Sequence, residues 1–80
     1  MYTVYAIRSL TRNYIYVGMT SNIEERLHRH NSGYERTTKP YRPFELIYKE
    51  LVVSRAEARE REKYFKSGIG KDYLKKIILI

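Results

Sequence analysis

Two short runs of apolar and β-branched residues open the chain and predict a pair of strands. The first run covers residues 2–8 and the second covers residues 14–19. In the first run Val4 and Ala6 alternate with Tyr5 and Ile7, as in a strand that presents two different faces. Only the five residues 9–13 separate the runs, so the pattern predicts a β-hairpin.

The spacing of apolar residues changes to a helical period after the hairpin. Ser21, with Glu24 three residues later, predicts a capping box at the start of a helix. Ile23 and Leu27 lie four residues apart, as they would on the buried stripe of that helix. Gly33 suits the left-handed position that ends many helices. Together these signals predict a first helix that ends just before Gly33.

The next segment predicts a loop followed by a third strand. Residues 34–43 are basic and aromatic and contain two prolines, which is typical of a loop. Residues 44–48 are rich in strand-forming side chains, and the strand could continue to Val53.

Two helices are predicted in the last third of the chain. Ser54 and Glu57 form a second capping box for a helix over residues 55–67, which ends at a glycine. A short helix is predicted over residues 71–77, before an apolar tail that either packs on the core or only marks the chain end. The element order is therefore ββαβαα, which predicts an α+β fold with a small antiparallel three-stranded sheet flanked by helices.

The length and composition restrict the class of protein. Eighty residues are enough for one small domain, which we expect to cover residues 1–80. The absence of cysteine excludes disulfides and thiolate zinc sites and fits a reducing compartment. We recognise neither a membrane-spanning stretch nor a signal-peptide pattern, so we expect a cytoplasmic protein with no membrane partner.

The charge of the chain points to an anionic partner. Sixteen Lys and Arg against nine acidic residues give a formal net charge of +7. Partners of such a surface are nucleic acids, anionic membranes or acidic proteins, and the charge can also serve solubility alone. Nine tyrosines favour nucleic acid, because aromatic rings beside cations can stack on bases.

Five residues are candidates for chemistry, four of them in the hairpin and the first helix. Arg26 and His30 lie four apart and share one face of the first helix. That face could bind a phosphate and handle a proton, or it could simply be solvated. Tyr5 and Tyr16 lie on the two hairpin strands, where they could face one another or simply pack on the sheet.

The fifth candidate, Glu62, gives the sharpest signal, because it lies on the apolar stripe formed by Ala58 and Phe65. A carboxylate in that position needs a metal ion, a cation or a hydrogen-bond partner. One carboxylate with water and substrate phosphate is a common Mg²⁺ site. The alternative is an ion pair, for instance with Arg26.

The basic loop is the predicted contact for a nucleic acid. Cations of the loop can bind backbone phosphates, a tyrosine can stack on a base, and a lysine of the second helix extends the basic surface. The residues predicted for this contact are Arg36, Lys39, Tyr41, Arg42 and Lys66.

Several segments together resemble the GIY-YIG nuclease family, in its small single-domain branch, and the N-terminal nuclease domain of excinuclease. The two signatures correspond to TVY at residues 3–5 and YVG at residues 16–18. The likeness continues through residues 16–33, 42–48 and 57–67, so the matching segments are spread over nearly the whole chain. The Gly and Ile of the first signature are Thr and Val here, at positions that serve strand packing.

The resemblance implies a nuclease that hydrolyses phosphodiester bonds of DNA, structured or branched, with one Mg²⁺ or Mn²⁺ ion, and it implies a role in DNA repair. Tyr5 and Tyr16 match the two signature tyrosines, and Arg26 and His30 match an arginine and a histidine one turn apart. Glu62 matches the metal-binding glutamate. A tyrosine, acidified by local cations, would help deprotonate the attacking water, and which tyrosine does so is left open. The products would be a 3′ hydroxyl and a 5′ phosphate.

Two other functions fit the same residues. The chain could be a nucleic-acid-binding module of this fold with weak or absent cleavage, or a small basic structural protein. We expect no second domain that selects a DNA site, so selection could depend on a homodimer or on a separate targeting protein.

Overall fold

The computed structural model describes residues 1–79, apart from the side chain of Leu79. Its elements, in chain order, are β1 Tyr2–Ser9, β2 Ile15–Thr20, α1 Ile23–Ser32, a 3₁₀ turn Lys39–Tyr41, β3 Phe44–Val52, α2 Arg55–Lys66 and α3 Gly68–Leu79. This order confirms the predicted α+β fold with its three-stranded antiparallel sheet and flanking helices. The 3₁₀ turn lies within the predicted loop.

The strand β1 is the centre of the sheet, whose order is β2-β1-β3, and both neighbours run antiparallel to it. In the hairpin Tyr5 lies opposite Gly18, and Ile7 lies opposite Tyr16. Of the two alternatives that the sequence left open, the tyrosines do not lie directly opposite one another but are offset by two residues. The Ser9 amide donates a hydrogen bond of 2.9 Å to the carbonyl oxygen of Tyr14, at the end of the hairpin loop. This hydrogen bond fixes the register of the two strands. An offset of two keeps both rings on the same face as diagonal neighbours.

Alternate residues of β1 enter two separate apolar clusters, because successive side chains of a strand point to opposite faces. The cluster under α2 and α3 contains Val4, Ala6, Val17, Val52, Ala58, Phe65 and Leu74. The cluster under α1 contains Tyr5, Ile7 and Phe44, with Ile23 and Leu27 packed against it. The sheet is thus the middle of three layers, with α1 on one face and α2 and α3 on the other.

The start of α1 differs from the prediction by one residue. The N-cap is Asn22 rather than Ser21, and its side chain accepts a hydrogen bond from the Glu25 amide at 3.1 Å. The hydroxyl of Thr20 accepts from the Asn22 amide at 3.1 Å and thereby holds the cap. The predicted C-terminus is confirmed, since Gly33 adopts φ +82 and its amide bonds the last carbonyls of α1.

Fewer residues separate the two C-terminal helices than the sequence predicted. Ser54 caps α2 as predicted, whereas α3 begins at Gly68, three residues before its predicted start. Ser67 explains the early start, because its side-chain and carbonyl oxygens accept the amides of Gly70 and Lys71. A Cβ at Gly70 would overlap the Tyr64 carbonyl oxygen, so glycine permits the close approach of the helices.

The apolar tail is described in part. Ile77 packs against the cluster under α2 and α3, whereas Ile80 and the side chain of Leu79 lie outside the described residues. Within residues 1–79, none of the helices combines the length and the apolarity needed to cross a bilayer.

Candidate active site

A chain of hydrogen bonds connects β1, α1 and the basic loop inside the protein. The Tyr5 hydroxyl lies 2.9 Å from Nε2 of His30, and Nδ1 of His30 lies 2.8 Å from the Thr38 hydroxyl. Thr38 in turn donates to the Glu35 carbonyl oxygen at 3.4 Å. Since the Thr38 proton is used there, its oxygen accepts from Nδ1–H of His30. Nε2 of His30 is then the acceptor for the Tyr5 hydroxyl.

Gly18 makes room for the hydroxyl of Tyr5. A Cβ added at residue 18 would lie 2.7 Å from the Tyr5 hydroxyl oxygen and 2.9 Å from Cζ of the same ring. It would also approach the ring of Tyr16 to 3.0 Å. Both signature tyrosines therefore depend on the missing side chain at the third position of the second signature.

Burial controls the protonation of the tyrosines and of His30 at this site. It raises the pKa of Tyr5 well above the ordinary range of a phenol, and it also raises the pKa of Tyr16. The Arg26 guanidinium lowers the pKa of both phenols but does not outweigh burial. The expectation that local cations acidify the tyrosines is therefore wrong. Burial also lowers the pKa of His30, which favours the neutral imidazole that the hydrogen bonds require.

Arg26 and Glu62 meet in an open groove although their helices lie on opposite faces of the sheet. The groove has a volume of about 490 Å³ and is lined by Tyr2, Met19, Thr20, Ser21, Arg26, Arg55, Arg59 and Glu62. The side chain of Glu62 is 23% exposed, and its carboxylate lies 3.7 Å from Nζ of Lys66. Among residues 1–79 its ion pair is with Lys66, not with Arg26 as the alternative interpretation held.

Tyr16 packs beside Tyr5 and His30 and lines a pocket with Lys66, not the groove itself. Its ring centroid is 6.3 Å from that of Tyr5 and 4.9 Å from that of His30. The charges of Arg26 and Glu62 both act on the pKa of its hydroxyl, Arg26 lowering it and Glu62 raising it. The structure thus brings the five predicted residues into one region, with Tyr5 and His30 in its interior.

Glu62 can hold a hard cation. Among residues 1–79 the structure contains no group of three His, Cys, Asp or Glu side chains that could bind a metal. Glu62 is the one carboxylate among the residues that line the groove. Its half-buried carboxylate lines the groove and makes no hydrogen bond within the described part of the chain. A lone carboxylate completed by water and phosphate oxygens suits Mg²⁺ or Mn²⁺, so the donor fits the predicted ion.

The basic residues predicted to bind nucleic acid are on the surface. Arg36, Lys39, Arg42 and Lys66 are all exposed. The guanidinium of Arg42 lies against Gly33 at the end of α1. Lys66 lies beside Tyr16 on the adjoining surface of the protein.

Tyr41 differs from the expectation of an open stacking platform. Its ring stacks on that of Tyr14, with centroids 4.0 Å apart and planes 13° from parallel, so one face is covered. Tyr34, at 70% exposure, is the loop ring that remains open, and the Arg29 guanidinium lies 6.0 Å from its centroid.

Sequence reasoning missed two residues that organise the site. Thr38 is 1% exposed and orients His30; the only signal for it was that a buried imidazole needs a second partner. Asn31 bonds the amide of Phe44 at 2.6 Å and its carbonyl at 3.4 Å. Asn31 therefore attaches α1 to the first residue of β3, and local sequence gives no sign of so distant a contact.

The model of the family described as GIY-YIG catalytic domain matches residues 1–75. No solved structure gives a significant match to the chain.

Three relatives show how far the similarity extends. A UPF0213 protein of Staphylococcus haemolyticus is 39% identical over 66 residues, which are 81% of this chain and 80% of the relative. One of Staphylococcus saprophyticus is 36% identical over 64 residues, 79% of this chain and 78% of the relative. One of Bacillus pumilus is 39% identical over 58 residues, 71% of this chain and 59% of the relative.

Proposed function

This chain belongs to the GIY-YIG family, in the small branch of UPF0213 proteins, and from that membership we propose a divalent-metal-dependent endonuclease acting on DNA. The family implies nuclease activity in general, usually with a divalent metal. The observation that carries the proposal is the shared groove. A guanidinium from α1 and a carboxylate from α2 line one open cleft at the edge of the sheet, which are the two charges needed to bind a phosphate and a metal ion.

Glu62 would hold the ion, Mg²⁺ or Mn²⁺. When bound, the ion neutralises charge on the phosphate and on the leaving oxygen. The ion pair of Glu62 with Lys66 is long at 3.7 Å and half-exposed, so the cost of breaking it is small.

Arg26 binds the scissile phosphate and stabilises the negative charge that grows on it in the transition state. A water oxygen forms the new bond to phosphorus, and the bond from phosphorus to the 3′ oxygen breaks. The leaving 3′ oxygen takes a proton from solvent, so the products are a 3′ hydroxyl and a 5′ phosphate.

Tyr16 is the tyrosine that contacts the attacking water in this proposal, because it is half-buried at the surface whereas Tyr5 is fully buried. Its raised pKa keeps the phenol protonated near neutral pH. Tyr16 therefore acts as a relay: its oxygen takes a proton from the water while its own hydroxyl proton passes to solvent. Tyr5 and His30 hold Tyr16 in place from inside.

The substrate we propose is structured or branched DNA, contacted by Arg36, Lys39 and Arg42 of the loop. We further propose that residues 1–80 form a single domain that acts in the cytoplasm, in DNA repair. For target selection we propose a homodimer or a separate targeting protein.

Nicking of supercoiled plasmid tests this function. We expect the wild-type protein to nick the plasmid with Mg²⁺ or Mn²⁺ but not with EDTA, and Glu62→Ala and Arg26→Ala to abolish nicking. Glu60→Ala, on the exposed side of α2, is the matched control and should keep full activity. Unchanged plasmid together with salt-sensitive DNA binding would instead establish the non-cleaving binding module.

A further inference from the structure

The basic groove contains more positive charge than the proposed chemistry uses. Three guanidinium groups, those of Arg26, Arg55 and Arg59, share it with the single carboxylate of Glu62. Arg26 is assigned to the scissile phosphate and Glu62 to the metal ion. Arg55 and Arg59 have no role in that chemistry, and both are exposed.

Their charge is not neutralised within the described part of the chain. The ion pairs found there use Arg8, Arg29, Arg61 and Lys66, and the cation–ring contacts use Arg12, Arg29 and Arg61. Arg55 and Arg59 appear in neither set, nor in the side-chain hydrogen bonds of residues 1–79. Two neighbouring cations that repel one another and have no acidic partner form a site suited to an anion.

The order of charges along α2 identifies the shape of that anion. Arg55, Arg59, Glu62 and Lys66 are spaced by four, three and four residues, so they form one stripe along the helix. At about 1.5 Å per residue, the stripe extends roughly 16 Å. A single small anion is shorter than this stripe, whereas consecutive phosphates of one strand can follow it.

We propose that Arg55 and Arg59 form a second phosphate-binding site, which holds the backbone of the DNA strand beside the scissile phosphate. The strand then runs along α2, with Glu62 between the Arg55–Arg59 pair and Lys66. This site rests on the proposed function and deepens it, because it assigns the path of the substrate strand. Its residues contact phosphates next to the reacting one and therefore bind substrate and transition state equally.

The test is DNA binding by the double variant Arg55→Gln/Arg59→Gln, with Lys63→Gln/Lys76→Gln as the control. Both variants lose two positive charges, and the control lysines are exposed residues of α2 and α3 outside the groove. The probe is a fluorescein-labelled forked DNA duplex in EDTA, titrated at several salt concentrations. Circular dichroism is the check that both variants are folded.

We expect the dependence of log Kd on log salt to become shallower by about 1.4 to 1.8 in the groove variant, as for two lost phosphate contacts. The control should change by less than half of this. In plasmid nicking, KM should rise about tenfold while kcat changes less than about threefold, the pattern of lost uniform binding.

Equal changes of slope in the two variants would overturn the site and show that binding follows net charge alone. A fall in kcat with unchanged KM would also overturn it, because the arginines would then act on the transition state. The measurement of DNA binding in EDTA does not depend on cleavage. An inactive wild-type protein that binds DNA through Arg55 and Arg59 would refute the proposed enzyme but support the site, whereas no DNA binding at any salt concentration would overturn both.

Discussion

The two halves of the candidate site are built on opposite principles. In the buried half, Tyr5, His30 and Thr38 satisfy one another's hydrogen bonds, and each is at most 1% exposed. In the open half, Arg26 and Glu62 face a wet groove without bonding to one another. Buried polar groups must be paired with hydrogen-bond partners inside the protein. Groups that bind a ligand must instead keep hydrogen bonds or charge free for that ligand. The buried half therefore contributes to stability, and the open half keeps two charged groups available to the ligand of the proposed function.

The largest expected effect is on stability, from the buried half. His30→Ala should lower the free energy of unfolding by about 3–5 kcal/mol, because it leaves a cavity and two buried hydroxyls without their partner. Urea unfolding followed by circular dichroism measures this. His28→Ala removes an exposed imidazole of the same helix and should cost less than about 0.5 kcal/mol. Similar costs for the two variants would remove the distinction between the halves.

The open half should show the reverse. Glu62→Gln should reduce the rate of plasmid nicking by at least about 100-fold, since a neutral amide holds a divalent ion poorly, and should change stability by less than about 0.5 kcal/mol. Initial nicking rates with Mg²⁺, beside urea unfolding, give both quantities. Glu60→Gln is the matched control. A destabilisation of several kcal/mol would mean that Glu62 belongs to the structural half.

A smaller effect tests the far end of the buried chain. Thr38→Val keeps the shape of the side chain but removes the oxygen that accepts from His30, so we expect a loss of about 1–3 kcal/mol. Thr37→Val changes the exposed neighbour and should be close to neutral. Urea midpoints of the two variants can be compared directly. A cost for Thr38→Val no greater than that for Thr37→Val would show that His30 does not need this bond.

The smallest effect is the dependence of stability on pH. Burial lowers the pKa of His30 in the folded protein, whereas unfolding returns it to about 6.5. The unfolded chain therefore binds more protons in mildly acidic solution. The stability that neutral His30 contributes is present above about pH 6.5 and is lost as the pH falls through the lower folded pKa.

Urea midpoints between about pH 7.5 and about pH 5.5 measure this, above the range in which ordinary carboxylates titrate. The midpoint should fall on acidification in the wild-type protein and equally in His28→Ala. A midpoint that stays constant or rises would contradict the buried neutral imidazole.

The sequence predicted those parts of the fold that depend on local spacing. The strands, Gly33 at the end of α1 and the Ser54 cap all follow from side chains a few residues apart. The predicted N-cap of α1 was wrong for a reason that the sequence and the structure together show. Ser21 with Glu24 and Asn22 with Glu25 are two overlapping cap patterns, and only the bonds of Thr20 to the Asn22 backbone decide between them.

The candidate site was predictable only as a set of residue types. Spacing and resemblance together indicated Tyr5, Tyr16, Arg26, His30 and Glu62, but not their division into a buried and an open half. That division depends on the register of the hairpin and on Thr38, eight residues beyond His30. The direction of the tyrosine pKa shifts depends on burial in the assembled layers, which composition and spacing do not reveal.

The position of Ala58 has a consequence for the distance between the Glu62 carboxylate and the Arg26 guanidinium. This methyl group is the inward side chain of α2 four residues before Glu62, and it is completely buried against the sheet. Arg26 comes from the layer on the other side. The thickness of the hydrophobic interior therefore sets how far the carboxylate stands from the guanidinium, and in the function proposed above a change of buried side chains would alter that distance without touching the substrate.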